Sequence, residues 1–126
     1  MIPQNYKKNG KSQRNIEKCV LLRKNQEVYG LSDETVKDLC SVFACYDNIE
    51  KVLLFGSRAK GNFREGSDID LALFGKDITY SQILDIKVRI EDLALLYSVD
   101  LVNFEKYKDY PIGEHILRGG QPFYTA

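Results

Sequence analysis

The sequence predicts an α+β fold: a mixed β-sheet with helices packed on one face and the other face free for chemistry. Three observations carry that expectation. Short apolar runs of strand length and composition occur at residues 51–55, 68–73 and 99–104. Stretches before and between them repeat apolar side chains every three or four residues, as a helix lying on a sheet does. The resulting order of helix, strand, strand, helix, strand and short helix calls for a sheet layered with helices.

Residues 1–12 are rich in Asn, Lys, Gln and Gly and show no period, which predicts an arm without a fixed fold. Ile16, Cys19, Val20 and Arg23 then give residues 14–27 a weak helical pattern. Ser32 reads as an N-cap, with Asp33 and Glu34 in the first turn of a helix whose apolar stripe is Val36, Leu39, Cys40 and Phe43. That helix should end near Tyr46-Asp47-Asn48.

Lys51-Val52-Leu53-Leu54-Phe55 is long enough for a buried strand, and Gly56-Ser57 closes it abruptly. Residues 58–67 are polar and glycine-punctuated, which suits one helical turn followed by a loop. In the second strand, a period of two sends Asp68, Asp70 and Ala72 to one face and Ile69, Leu71 and Leu73 to the other. Ile83, Ile86, Ile90, Leu93 and Tyr97 mark an amphipathic helix over residues 79–97, with Asp85 and Arg89 one turn apart on its wet side. In the third strand Asp100 is the charged side chain in the middle of Val99-Asp100-Leu101-Val102-Asn103-Phe104. Residues 111–124 read as a short helix ending at Gly119-Gly120 and then an extended Gln-Pro-Phe-Tyr piece.

Composition narrows the classes of function. A chain of 126 residues, 44% of them hydrophobic, fills one core and not two. Its 18 basic and 18 acidic residues balance, yet residues 1–31 hold seven Lys and Arg against two Glu. The chain therefore divides into a basic N-terminal arm, residues 1–31, and an acidic domain, residues 32–126, at about +5 and −5. A basic arm can hold nucleic acid or an acidic partner and is as commonly a solvated tail. With no aromatic-plus-basic stripe on the acidic body, nucleic acid is not the expected partner. No apolar run approaches the roughly 18 residues of a bilayer span, so no membrane is expected either. Cys19, Cys40 and Cys45 are an odd set without a signal-peptide pattern, which predicts reduced thiols in a cytoplasm. Cys40 and Cys45 are five apart and do not share a helix face, so no pair is expected between them.

A carboxylate in mid-strand destabilises unless something pairs with it, because burying an unpaired charge costs several kcal/mol. Asp68 and Asp70 point the same way at about 6.6 to 6.8 Å along their strand, and Asp100 completes the cluster if its strand lies beside theirs. Three such charges repel one another unless cations sit between them. His115 is the only histidine, which removes His-rich zinc sites; it is expected at the surface or facing a partner, not as a base. Oxygen-only ligands then favour Mg²⁺, with Mn²⁺ as the alternative ion. Two such ions about 3.5 to 4 Å apart would clamp a nucleoside triphosphate. Gly56 lets the backbone approach phosphate, while main-chain N–H groups and the Ser57 hydroxyl donate to it. Gly-Ser alone is an ordinary turn and Asp-x-Asp alone is common on solvated strands, but their order and spacing together are specific. Arg58, Lys60 and Arg64 stand equally as phosphate contacts or as surface charges.

Gly56-Ser57, ten residues, and Asp68-Ile69-Asp70 resemble the Gly-Ser-x10-Asp-x-Asp signature of the DNA polymerase beta-like nucleotidyltransferase superfamily. Phe55-Gly56-Ser57-Arg58-Ala59-Lys60-Gly61 and Gly66-Ser67-Asp68-Ile69-Asp70-Leu71 resemble in particular the minimal nucleotidyltransferase antitoxins found beside HEPN-domain toxins. The resemblance implies the nucleotidyltransferase fold, with two Mg²⁺ ions on Asp68 and Asp70. It makes Asp100 the third carboxylate, helping to activate the acceptor hydroxyl, and has Gly56 and Ser57 grip the triphosphate of ATP. The implied reaction is transfer of AMP to a hydroxyl, a tyrosine, of a cognate HEPN toxin, which would block its RNase activity. The arm before Ser32 has no counterpart in that compact core. Larger members add a helical domain that binds the acceptor, and the 26 residues after Asp100 are too few to form one. The acceptor pocket is thus expected from another polypeptide or a second copy of this one. Two other readings fit the same residues: a small-molecule nucleotidyltransferase of the aminoglycoside-modifying kind, and an antitoxin that masks its partner without catalysis.

Overall fold

A computed structural model describes residues 29–126. Most of the expected arm, the helical pattern at residues 14–27 and Cys19 lie outside the described residues. Helix α1, Asp33–Phe43, begins where expected: the Ser32 hydroxyl accepts the Thr35 N–H at 3.2 Å, and Val36, Leu39, Cys40 and Phe43 are buried. The helix proper ends before Tyr46, and the chain continues through tight turns in which Cys45 N–H and Tyr46 N–H donate to the carbonyls of Val42 and Phe43. The Cys40 and Cys45 thiols face different carbonyls, those of Phe123 and Ser41.

The strands are β1, Ile49–Phe55, β2, Ile69–Gly75, β3, Val99–Asn103, and β4, Gln121–Thr125, in the order β3-β2-β1-β4. β2 and β3 run parallel, while β1 is antiparallel to both β2 and β4, so the sheet is mixed as the sequence predicts. The extended Gln-Pro-Phe-Tyr piece is thus an edge strand. Pro122 is tolerated there because an edge position can do without one ladder hydrogen bond, and Phe123 and Tyr124 are buried. Helix α3, Tyr80–Glu91, makes the crossover that a parallel β2–β3 pair requires. It is shorter than the expected 79–97, because the chain must turn back toward β3. Ala94 takes a positive φ of 55° in that turn, and Leu93 and Tyr97 pack on the core from the connecting loop.

α1 and α3 cover one face of the sheet. Ile83, Ile86 and Ile90 of α3 meet Ile69, Leu71 and Leu73 of β2 and Val36, Leu39 and Phe43 of α1 in the main core. Asp85 and Arg89 pair at 3.4 Å on the wet side of α3, as their spacing predicts. The opposite face is not free throughout. Helix α5, Pro111–Gly119, lies over part of it and sets Ile116 against Phe55 and Ala72. The reason lies in Ala72 and Phe55, which point away from the main core and would otherwise meet water. Two single-turn helices complete the fold: α2, Ser57–Lys60, after β1, and α4, Phe104–Tyr107, after β3. Among the described residues no helix is long and apolar enough to cross a membrane.

Candidate active site

Strand register brings two of the expected acids together. Asp70 is the second residue of β2 and Asp100 the second of β3, and in the parallel ladder they are direct neighbours. Neighbouring strands are about 4.8 Å apart, so same-face side chains at matched positions touch. Asp68 precedes the first residue of β2 and is exposed, as is Asp100, whereas Asp70 is half-buried. Burial, and after it the negative charges of Asp100 and Asp68, push the Asp70 carboxyl up to about 6; a hydrogen-bonding interaction with Asp100 acts the same way. All three acids are therefore felt at one carboxylate.

They do not, however, stand as one tight cluster: among the described residues, no three His, Cys, Asp or Glu side chains converge closely enough to grip an ion as they are. The two-residue step from Asp70 puts Asp68 further out along the strand direction. The close element is the Asp70–Asp100 pair, with Asp68 at its margin. The donor set suits a hard divalent cation. It consists of carboxylate oxygens, and beside its burial Asp70 carries the repulsion of Asp100 and Asp68, which a cation would relieve.

Gly56 meets Asp70 from the side opposite Asp100, because β2 lies between β1 and β3. Phe55 is the register partner of Asp70 across the β1–β2 ladder, so the turn that follows β1 passes directly beside the Asp70 side chain. A Cβ on residue 56 would stand 2.3 Å from Asp70 Oδ2, and φ 78° with ψ −155° belongs to a region that side chains avoid. Both the close approach and the backbone path require glycine. Ser57 opens α2 immediately afterwards and is half-buried.

The basic residues near the turn separate into two kinds. Lys60 and Arg64 are exposed. Arg58 is neither a surface charge nor exposed to any solvent-borne group: it is 1% accessible, donating to the main-chain carbonyls of Ser67 and Tyr29. Sequence reasoning missed this burial, since an Arg between Ser and Ala in a polar stretch carries no periodic signal. His115 is exposed, as expected, and its ring meets that of Phe55 edge-on, with centroids 6.5 Å apart. The one histidine thus borders the strand end from which Gly56 departs.

A strand ending in a glycine turn, set beside a strand whose acid is paired with another acid on the strand beyond, is the architecture of a nucleotidyltransferase. The family described as Polymerase beta, Nucleotidyltransferase matches residues 37–126, and the chain belongs to it. Two relatives from Methanocaldococcus jannaschii are similar to it. One, named "Putative protein adenylyltransferase MJ0604", is 30% identical over 82 residues, 60% of this chain and 79% of that protein. The other, named "Putative protein adenylyltransferase MJ0141", is 32% identical over 73 residues, 58% of this chain and 69% of that protein. Among solved structures, a toxin-antitoxin with AMP-PNP superposes with a TM-score of 0.59 at 20% identity, over 74% of this chain and 73% of that one. A mutant of the toxin-antitoxin MntA-HpeT gives 0.58 at 18% identity, over 76% and 75%. At such identities the likeness is one of fold.

Proposed function

We propose that this protein is a Mg²⁺-dependent adenylyltransferase that moves AMP from ATP to a hydroxyl of a partner toxin, a tyrosine of a HEPN-domain protein, and so acts as its antitoxin. The observation that carries the reading is the in-register Asp70–Asp100 pair facing Gly56. The relatives named as protein adenylyltransferases support the reaction class, and the toxin-antitoxin structures of like fold support the biological setting.

In this reading Asp68 and Asp70 hold Mg²⁺, or Mn²⁺ in its place, with Asp100 as the third carboxylate. The bound ions would neutralise triphosphate charge and lower the barrier to displacement at the α-phosphorus. Gly56 admits the phosphate chain close to the backbone, and the Ser57 hydroxyl donates to it. The acceptor hydroxyl oxygen forms a bond to the α-phosphorus, the bond to the bridging oxygen breaks, and pyrophosphate leaves. The hydroxyl proton passes to the Asp100 carboxylate, which is exposed and so reachable by an acceptor on another chain.

The test is incubation with α-labelled ATP, Mg²⁺ and a co-expressed HEPN toxin, followed by mass spectrometry of the toxin. Wild-type protein should add one AMP mass to a toxin tyrosine, and the Asp68→Asn, Asp70→Asn double variant should add none and lose protection. Protection that survives the double substitution would mean masking instead of catalysis. Label on an aminoglycoside and none on the toxin would make the protein a small-molecule enzyme.

A further inference from the structure

Among the described residues Arg58 is the one fully buried charged side chain, and its hydrogen bonds run to main-chain carbonyls. Nε and Nη2 both donate to the Ser67 carbonyl, at 3.1 and 2.9 Å, and Nη1 donates to the Tyr29 carbonyl at 2.8 Å. The guanidinium carbon stands 5.0 Å from the Phe63 ring centre and 4.8 Å from that of Tyr97. Main-chain acceptors and aromatic faces are what allow a cation to be buried, since an unsatisfied one would be expelled. Gly30, at φ 76°, leaves the room: a Cβ there would meet Phe63 at 2.3 Å and Arg58 Nη1 at 2.9 Å.

These contacts are spread over the chain in a telling way. Arg58 follows Ser57 directly, Ser67 precedes Asp68, and Tyr97 lies in the segment entering β3, ahead of Asp100. The Ser98 carbonyl also accepts the Ile69 N–H at 2.9 Å, which ties that segment to the start of β2. One guanidinium thus joins the three segments that carry the glycine-serine turn, the Asp68-Asp70 pair and Asp100. An apolar side chain would fill the same space with less desolvation, but it could not orient the peptide group before Asp68 through a planar two-point grip.

We propose that Arg58 is a positioning residue for the acid site: by gripping the Ser67 carbonyl while its guanidinium packs on the Phe63 and Tyr97 rings, it sets where Asp68 and Asp100 stand relative to Gly56-Ser57. The activity part of the test rests on the nucleotidyl-transfer reading, while its exchange part does not. The full chain is compared as wild type, Arg58→Lys, which keeps the charge and loses the fork, and Phe63→Leu, which keeps the fork and removes one ring. Hydrogen exchange, Mn²⁺ affinity by calorimetry, and kcat and KM for AMP transfer are measured on each. Arg58→Lys should speed exchange in residues 61–70 and 97–100 while α3 stays protected as in wild type. It should also weaken Mn²⁺ binding and lower kcat by about 10–100-fold, the usual effect of removing a group that orients a ligand, with the KM for ATP changing much less. Phe63→Leu should show the same pattern in milder form. Added to Asp68→Asn, Arg58→Lys should subtract less than its effect in the wild-type background, because Arg58 acts in part through Asp68. Wild-type exchange and Mn²⁺ affinity in Arg58→Lys would overturn the proposal, and so would loosening that extends equally through α3. If wild-type protein neither binds Mn²⁺ nor transfers AMP, the functional reading fails, and the exchange pattern alone decides the place of Arg58.

Discussion

On one face of β2, Ile69, Leu71 and Leu73 are sealed under α1 and α3; on the other, Asp70 stands beside a thin apolar patch of Phe55, Ala72 and Ile116. The two faces are one residue apart in sequence and opposite in character. The thick face excludes water and supplies the cohesion of the domain. The thin face brings a smaller apolar patch up to the acids, with Phe55 directly across from Asp70, so like charges are held close and partly buried at a cost that the other face offsets. Stability and chemistry are thereby separable, and substitutions on the two faces should move different observables.

The sharpest break in that separation is Asp70→Asn. Transfer of AMP should fall by roughly 10³-fold or more, whereas the melting temperature in EDTA should hold or rise, because repulsion with Asp100 and Asp68 is relieved. A clear drop in that melting temperature would count against the division of labour. On the thick face, Leu71→Ala removes a fully buried side chain and should cost about 2–5 kcal/mol in urea unfolding, with transfer per folded molecule close to wild type.

Gly56→Ala should show both effects at once, because residue 56 belongs to the site by contact and to the fold by conformation. The positive φ should cost about 1–3 kcal/mol, and displacement of the Asp70 carboxylate should lower transfer on the order of 10²-fold. Paired melting and turnover measurements would register the two losses together. The smallest expected effect is Tyr46→Phe, far from the acids. The Tyr46 hydroxyl donates to the Asp85 carboxylate and holds that group below the usual carboxylate range. A depressed pKa contributes stability above the unfolded value and loses it as pH falls through the folded one. The variant should therefore be less stable at pH 7 by about 0.5 kcal/mol, the low end for an exposed bond. That difference should shrink in unfolding curves taken at successively lower pH, as the Asp85 carboxylate becomes protonated in the folded state too.

Much of this was legible before any coordinates. Ser32 as a cap, the stripe of Val36, Leu39, Cys40 and Phe43, the Asp85–Arg89 pair and the shared face of Asp70 and Ala72 are local or periodic features, and each is found where its pattern puts it. The errors share a cause. The helix from Tyr80 stops at Glu91 although Leu93 and Tyr97 continue its spacing, because the same apolar residues serve the core from a loop once the chain must reverse. Arg58 read as an ambiguous surface cation because no neighbour in sequence reveals the carbonyls of Tyr29 and Ser67 around it. The extended tail became β4 only by pairing with β1, and α5 came to rest on the face expected to be open.

The sequence by itself determined the elements and the chemical types at the site: a strand closed by Gly56-Ser57, two carboxylates two residues apart, and a third in a later strand. Those follow from side-chain periodicity and from what glycine alone can do, which act over a few residues. The tertiary structure decided the matching of Asp70 to Asp100, the approach of Gly56 to Asp70 and the burial of Arg58. Register and burial depend on how distant segments share one core, and a pattern of period two or 3.6 carries no information about which strand lies beside which.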